Sequence, residues 1–317
     1  MVSFLAMCPE DLSCFVYSEF LTVKCLTVLD SGFCCTSERP EFLALIASVK
    51  CVVKAKVDGK SEIEWVLLKQ IRIKYLVLIG EEFDVSLLNY TTLIHLETRG
   101  IFDPRICDII HRNPLQIIDL DDQDQTHLNT EFTDGCLFES TCRQNLRALR
   151  LHVNNTVTLQ VITRIINMCP NLNACEIKQY GGHPLGIVAF GQEWVGNFAR
   201  ESELIGLPPT CDSCIKMRLR MTRKAFNQTR DEFNAGLLGL IACMGRKQVK
   251  EMWINSEGQL GSVLQHIARY MKDLTHINIE CKVGLKVKES DMEEMKRILM
   301  SCTHLNKDKG IFILHIM

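Results

Sequence analysis

In NLRALRLHVN, residues 145–154, Leu149 and Leu151 alternate with Ala148, Arg150 and His152. That is the period of two of a strand with one face for burial and the other free to meet a partner. The wider template, apolar-x-x-apolar-x-apolar, fits Ile73/Leu76/Leu78, Leu115/Ile118/Leu120, Leu146/Leu149/Leu151 and Leu172/Cys175/Ile177. It fits again at Cys214/Met217/Leu219, Val249/Met252/Ile254, Leu274/Ile277/Ile279 and Ile311/Leu314/Ile316, and Leu93/Leu96 opens another copy with Thr98 in its third place. A chain this apolar produces many such matches by chance, so their setting has to carry the reading.

The setting is a helical pattern ahead of the strand. Leu159, Ile162 and Ile166 share a helical face before CPNL at 169–172 and the strand NACEIK. Thr229 and Glu232 form a capping box before Phe233, Leu237, Leu240, Ile241 and Met244, after which VKEMWIN supplies a strand. Val263, Leu264, Ile267 and Met271 precede LTHINI, and a second capping box, Ser290 and Glu293, precedes Met295, Ile298, Leu299, Cys302 and the strand IFILHIM. Four consecutive helix, turn and strand cycles predict an α/β architecture.

The repeat is irregular: 20 residues separate Ile73 from Leu93, but 42 separate Leu172 from Cys214. The largest gap holds YGGHPLGIVAFGQEWVGNF and GLPPT, whose Gly and Pro punctuation predicts a loop leaving the repeat. L146-x-x-L149-x-L151 and C169-P-N-L172-x-x-C175-x-I177 resemble cysteine-containing leucine-rich repeats over about residues 70–317. Asn154, Asn155 and Asn255 are partial counterparts of the asparagines that follow the strand in that family. The resemblance implies a solenoid over residues 51–317: a right-handed βα superhelix with a curved parallel sheet, each unit burying its apolar face against the next.

Residues 1–50 read differently, as short helices with Leu12, Phe15 and Val16, then Cys25, Leu26 and Leu29, then Phe42, Leu43 and Ile46 as inward positions. A helical cap over the first repeat is one reading. The segment also resembles a degenerate F-box: Pro9-Glu10-Asp11-Leu12 matches the opening of its first helix, Leu26 and Leu29 its middle helix, and Cys34 the cysteine that often follows, with SERPEF in place of the usual tryptophan. That resemblance implies contacts from Pro9, Leu12 and Leu26 to the adaptor subunit of a cullin-RING ubiquitin ligase.

Composition narrows the function classes. Lys plus Arg number 36 against 38 Asp plus Glu, and the net charge of −2 gives no reason to expect nucleic acid or an anionic membrane as partner. MVSFLAMCPED lacks a basic segment and the apolar core of a secretory signal, and no run of about 18 uncharged residues predicts a span. The expectation is therefore a cytoplasmic or nuclear chain with its 16 cysteines reduced. There is no phosphate-binding glycine loop, Cys211 and Cys214 form a lone C-x-x-C, and no nucleophile and base can be paired, so neither a cofactor, a metal nor enzyme activity is expected.

What remains is a binding face. The residues between the buried strand positions would line a concave surface: Tyr75, Val77 and Ile79, unless the N-terminal helices bury these three; His95, Glu97 and Arg99; Asp119 and Asp121; Arg150 and His152; Glu176 and Lys178; Lys216, Arg218 and Arg220; Glu251, Trp253 and Asn255; His276, Asn278 and Glu280. LDDQDQ at 120–125 is acidic and KMRLRMTRK at 216–224 basic, which would orient a charged partner. The basic run lacks the interleaved aromatics of a single-strand nucleic-acid platform, and Trp253 has the character of an interface anchor. A protein partner on this face is the expectation. It would be either the substrate of a ligase or, if residues 1–50 are only a cap, the partner of a leucine-rich scaffold.

Overall fold

The structure, a computed structural model, describes residues 8–34, 36–57, 60–79, 92–99, 106–121, 141–153, 159–179, 186–191, 216–221, 230–256, 260–281, 293, 297 and 311–316. It is α/β, and the chain falls into two compact units, Met1–His127 with Asp134–Leu146 and Leu128–Thr133 with Arg147–Met317. Among the described residues no helix is long and apolar enough to cross a membrane.

The first unit opens with α1 (Glu10–Phe20), α2 (Val23–Phe33) and α3 (Arg39–Ile46). The Pro9 carbonyl accepts the N–H groups of Leu12 and Ser13 at 3.0 Å each, and Glu10 and Asp11 place negative charge at the positive end of α1. The face this helix buries is the opposite of the expected one. Ser13, Cys14, Tyr17 and Ser18 are inside, whereas Leu12, Phe15 and Val16 are 50%, 54% and 37% exposed. The reason lies in β1 (Val52–Val57), against which α1 packs: the Val52 N–H donates to Ser18 Oγ at 3.0 Å, so the small polar face satisfies a strand donor that an apolar face would leave unpaired. Tyr17 also meets Phe42 edge to face, centroids 5.9 Å apart. Phe42 and Ile46 of α3 are buried as expected and Leu43 is half-buried; in α2 Leu26 is buried, Leu29 half-buried and Cys25 exposed.

A buried carboxylate ties these helices to the first βα unit. Asp30 of α2 accepts two bonds from Arg39, Nε to Oδ1 at 2.8 Å and Nη2 to Oδ2 at 3.2 Å, and one from Trp65 Nε1 at 3.3 Å. Trp65 belongs to α4 (Lys60–Leu68), whose Ile63 and Val66 are in the core. The Arg39 bonds hold the Asp30 carboxyl below its ordinary range against the opposing effect of burial. Neither β1 nor α4 carries the repeat template, so helix and strand alternate further toward the N-terminus than the template predicts.

The sheet of this unit runs β1, β2 (Arg72–Ile79), β3 (His95–Arg99), β4 (Ile117–Asp121), with every pair parallel and neighbours consecutive in the chain. Leu76 and Leu78 of β2, Leu96 of β3, and Ile118 and Leu120 of β4 are buried, with Thr98 taking the third place of its repeat at 1% exposure. Between β3 and β4 in sequence sits α5 (Ile106–Arg112), burying Ile106, Ile109 and Ile110. Just after α5, Asn113 is buried and bonds in two directions: its Oδ1 accepts the Leu93 N–H at 3.1 Å, and its Nδ2 donates to the Ile109 carbonyl at 2.8 Å.

In the second unit β5 (Ala148–Val153) and β6 (Ala174–Gln179) are parallel, joined through α6 (Leu159–Met168), which buries Leu159, Ile162, Ile165 and Ile166. Burying each of these side chains contributes about 1.5–3 kcal/mol. β7 (Gly186–Gly191) then pairs antiparallel with both β6 and β8 (Lys216–Met221). The expectation of a loop leaving the repeat is therefore corrected at residues 186–191, and so is that of a wholly parallel sheet. The physical reason is length: β6 ends at Gln179 and β7 begins at Gly186, too short a connection for the crossover a parallel pair needs.

Beyond β8 the parallel order resumes with β9 (Glu251–Ser256), β10 (His276–Cys281) and β11 (Ile311–Ile316). Helices α7 (Arg230–Met244) and α8 (Leu260–Tyr270) bring the expected apolar residues Phe233, Leu237, Leu240, Ile241, Met244, Val263, Leu264 and Ile267 into the core. α7 packs against α6 closely enough that a Cβ on Gly236 would lie 2.7 Å from that of Leu159. Asn154, Asn155, Thr229, Ser290 and the apolar positions Met295, Ile298, Leu299 and Cys302 lie outside the described residues, while Glu293 and Arg297 are helical.

One junction recurs. The carbonyl just before β3, that of Ile94, accepts the N–H groups of Gln116 and Ile117 at 2.8 and 3.1 Å. Arg147 does the same for Asn173 and Ala174, at 2.8 and 3.0 Å, and Lys250 for Thr275 and His276, at 2.8 and 3.0 Å. Each carbonyl uses both lone pairs to set the start of the next strand.

Candidate functional site

Alternation along each strand puts every second residue on the side away from the helices, and the parallel register lines these residues up in rows. In the first unit one row is Tyr75, His95 and Ile117, the next Val77, Glu97 and Asp119, and the next Ile79, Arg99 and Asp121. Tyr75 and His95 stack with centroids 4.0 Å apart and planes 9° from parallel. The Tyr75 hydroxyl donates to Glu97 Oε2 at 2.7 Å, and Arg99 Nε donates to Glu97 Oε1 at 2.5 Å. Burial first, and then the Glu97 carboxylate, push the Tyr75 phenol well above its ordinary range.

The second unit has rows of its own. One follows Arg150, Glu176, Ala189, Arg218, Trp253, Asn278 and Ile313; a flanking row follows His152, Lys178, Ile187, Arg220, Asn255, Glu280 and His315. Lys216, Glu251, His276 and Ile311 are in register on the other side. Glu176 is buried and gathers nitrogen groups: Lys178 Nζ lies at 2.6 Å from Oε1, His152 Nε2 at 3.3 Å from the same oxygen, and Arg150 Nε at 3.9 Å from Oε2. Burial alone would raise the Glu176 pKa, but bonds from His152 and Lys178 and the charges of Lys178 and Arg150 outweigh it and bring it down to about 2.

Trp253 is half-buried, and beside it in register Asn278 is 6% exposed. Among the described residues neither amide atom of Asn278 has a hydrogen-bond partner. A buried carboxamide with an open donor and an open acceptor is uncommon in native interiors and marks a place where another polar group belongs.

The expected binding residues thus divide by unit. Arg99 joins Glu97 in the first, where Asp119 and Asp121 lie in β4; Arg150, His152 and Lys178 meet around Glu176 in the second, where Arg218, Arg220, Trp253 and Asn255 share the same face by register. The acidic and basic runs fall in different units, and their residues 122–125 and 222–224 lie outside the described residues. Val77 is buried rather than displayed, and Ile79 is exposed. Of the adaptor positions, Pro9 and Leu12 are exposed, but Leu26 is fully buried, because α2 turns Val23, Leu26 and Asp30 inward; as a contact residue it is corrected to a core residue. The unpartnered Asn278 amide and the small residues of β7 carry no signal in the sequence, since both depend on the register between strands. Cys211 and Cys214 lie outside the described residues, and among the described residues no group of His, Cys, Asp or Glu is arranged to hold a metal ion.

No protein-family model matches the chain, and the comparison with curated proteins finds no match.

Proposed function

We propose that the chain is a protein-recognition module of leucine-rich repeat type, with an F-box-like helical segment at residues 1–50. It would serve as the substrate-binding subunit of a cullin-RING ubiquitin ligase. The observation that carries the recognition reading is the polar face of the second unit, where Trp253 stands in register between Arg218 and Asn278. An aromatic anchor among polar neighbours is the composition of a protein interface. The repeat reading draws support from the strand order within each unit and from the shared junction at Ile94, Arg147 and Lys250.

The ligase reading draws its support from α1. Leu12, Phe15, Val16 and Phe20 lie at helical spacing on its exposed side, Phe20 at 70% exposure, with Phe15 and Phe20 edge to face at 5.8 Å. An apolar stripe of this kind is suited to a partner helix. A pull-down of the ligase adaptor by the full chain tests it: the wild type retains the adaptor, and Leu12→Asp with Phe15→Asp loses it while melting at the same temperature. Absence of adaptor binding by the wild type removes the ligase role and leaves the scaffold that binds a protein on its sheet face.

A further inference from the structure

The antiparallel insertion of β7 changes what the second unit's face can hold. Its register positions on this face, Ile187, Ala189 and Gly191, separate the basic positions of β6 and β8 by two strand spacings, about 10 Å. On one side stand Arg150 and Lys178 with their shared counter-ion Glu176; on the other, Lys216, Arg218 and Arg220 occupy alternate positions of β8. Among the described residues, the face from β5 to β9 sets only Glu176 and Glu251 against these bases. The charge is therefore local and basic, although the whole chain carries −2.

Charge by itself would suit any polyanion. Asn278 narrows the choice. Among the described residues its buried amide leaves a donor and an acceptor unbonded on the same face, next to Trp253, and that pair of groups matches a peptide unit, which offers one C=O and one N–H. A phosphodiester offers acceptors alone.

We propose that this face binds an acidic protein segment, its carboxylates over the bases flanking β7 and its backbone against Asn278 and Trp253. The proposal rests on the recognition reading above and names the class of its ligand. Attraction between the bases and the carboxylates steers such a segment and makes its affinity depend on salt.

The test uses the full chain and fluorescence anisotropy with labelled peptides of alternating Glu and Ala, the same peptides with Gln or Lys for Glu, and a single-stranded oligothymidylate. The Glu peptide binds, the Gln peptide binds at least tenfold more weakly, the Lys peptide does not bind, and the wild-type affinity falls as salt rises. Arg218→Gln with Arg220→Gln weakens the Glu peptide about tenfold, equivalent to about 1.4 kcal/mol. Asn278→Ala weakens the Glu peptide and leaves the oligothymidylate unchanged. Equal affinity for Glu and Gln peptides overturns the proposal, as does tighter binding of the oligothymidylate. The salt series on the wild type keeps the test valid if a variant does not fold. Binding of the Gln or Lys peptide as tight as that of the Glu peptide, and abolished by Trp253→Ala, would sink the acidic class while keeping the recognition face; no peptide binding of any kind would sink both.

Discussion

Lys178 Nζ lies 2.6 Å from Glu176 Oε1, two residues along the same strand and on the same face. Against the penalty of burial, it acts with His152 and Arg150 of β5 to hold the carboxylate ionised, at a pKa of about 2 against an ordinary 4.5. A group whose pKa is lowered by folding stabilises the fold above its unfolded pKa and gives that stability up as pH falls toward its folded one. The pair of values corresponds to a contribution on the order of 3 kcal/mol. Urea denaturation of wild type and Glu176→Gln across the acid range should show the largest gap above about pH 5, closing toward about pH 2. A gap that stays constant with pH would mean that Glu176 titrates normally in the folded chain.

Asn113 makes a second prediction, about the repeat junction. Its side chain satisfies the buried N–H of Leu93 and the carbonyl of Ile109, so Asn113→Ala leaves both without that partner. The expected cost is about 1–3 kcal/mol, read as a lower urea midpoint with an unchanged m-value. A loss below about 0.5 kcal/mol would indicate that water replaces the carboxamide.

Thr98 predicts the opposite sign. It is buried in a place that the neighbouring repeats fill with leucine, and among the described residues its hydroxyl has no partner. Thr98→Val keeps the shape and removes the stranded hydroxyl, so stability should rise by about 1 kcal/mol. Differential scanning calorimetry decides the matter, since a lowered Tm would show that the hydroxyl is bonded in the folded protein.

Legibility in the sequence followed the source of the signal. The strands around Leu76, Leu149, Cys175, Met252 and Ile277, and the helices ahead of three of them, were readable because burial of one side imposes a period on neighbouring residues. α1 defeated the same logic: it carries Leu12, Phe15, Val16 and Phe20 on one side and Cys14 and Tyr17 on another. Which side went inward depended on Ser18 meeting the Val52 N–H, a contact 34 residues away in sequence. β7 was hidden too, because GIVAFG reads equally as a strand or as part of a glycine-rich loop until its partners are known.

Taken alone, the amino-acid order determined the alternation of helix and strand, the membership of most of the core and the polar character of the residues between the buried strand positions, since each depends on spacing along a short stretch. Tertiary structure decided the direction of β7, the inward side of α1, the burial of Leu26, and the meeting of Arg150, His152 and Lys178 at Glu176. Those outcomes depend on register between strands and on hydrogen bonds between distant residues, and neither leaves a period in the chain.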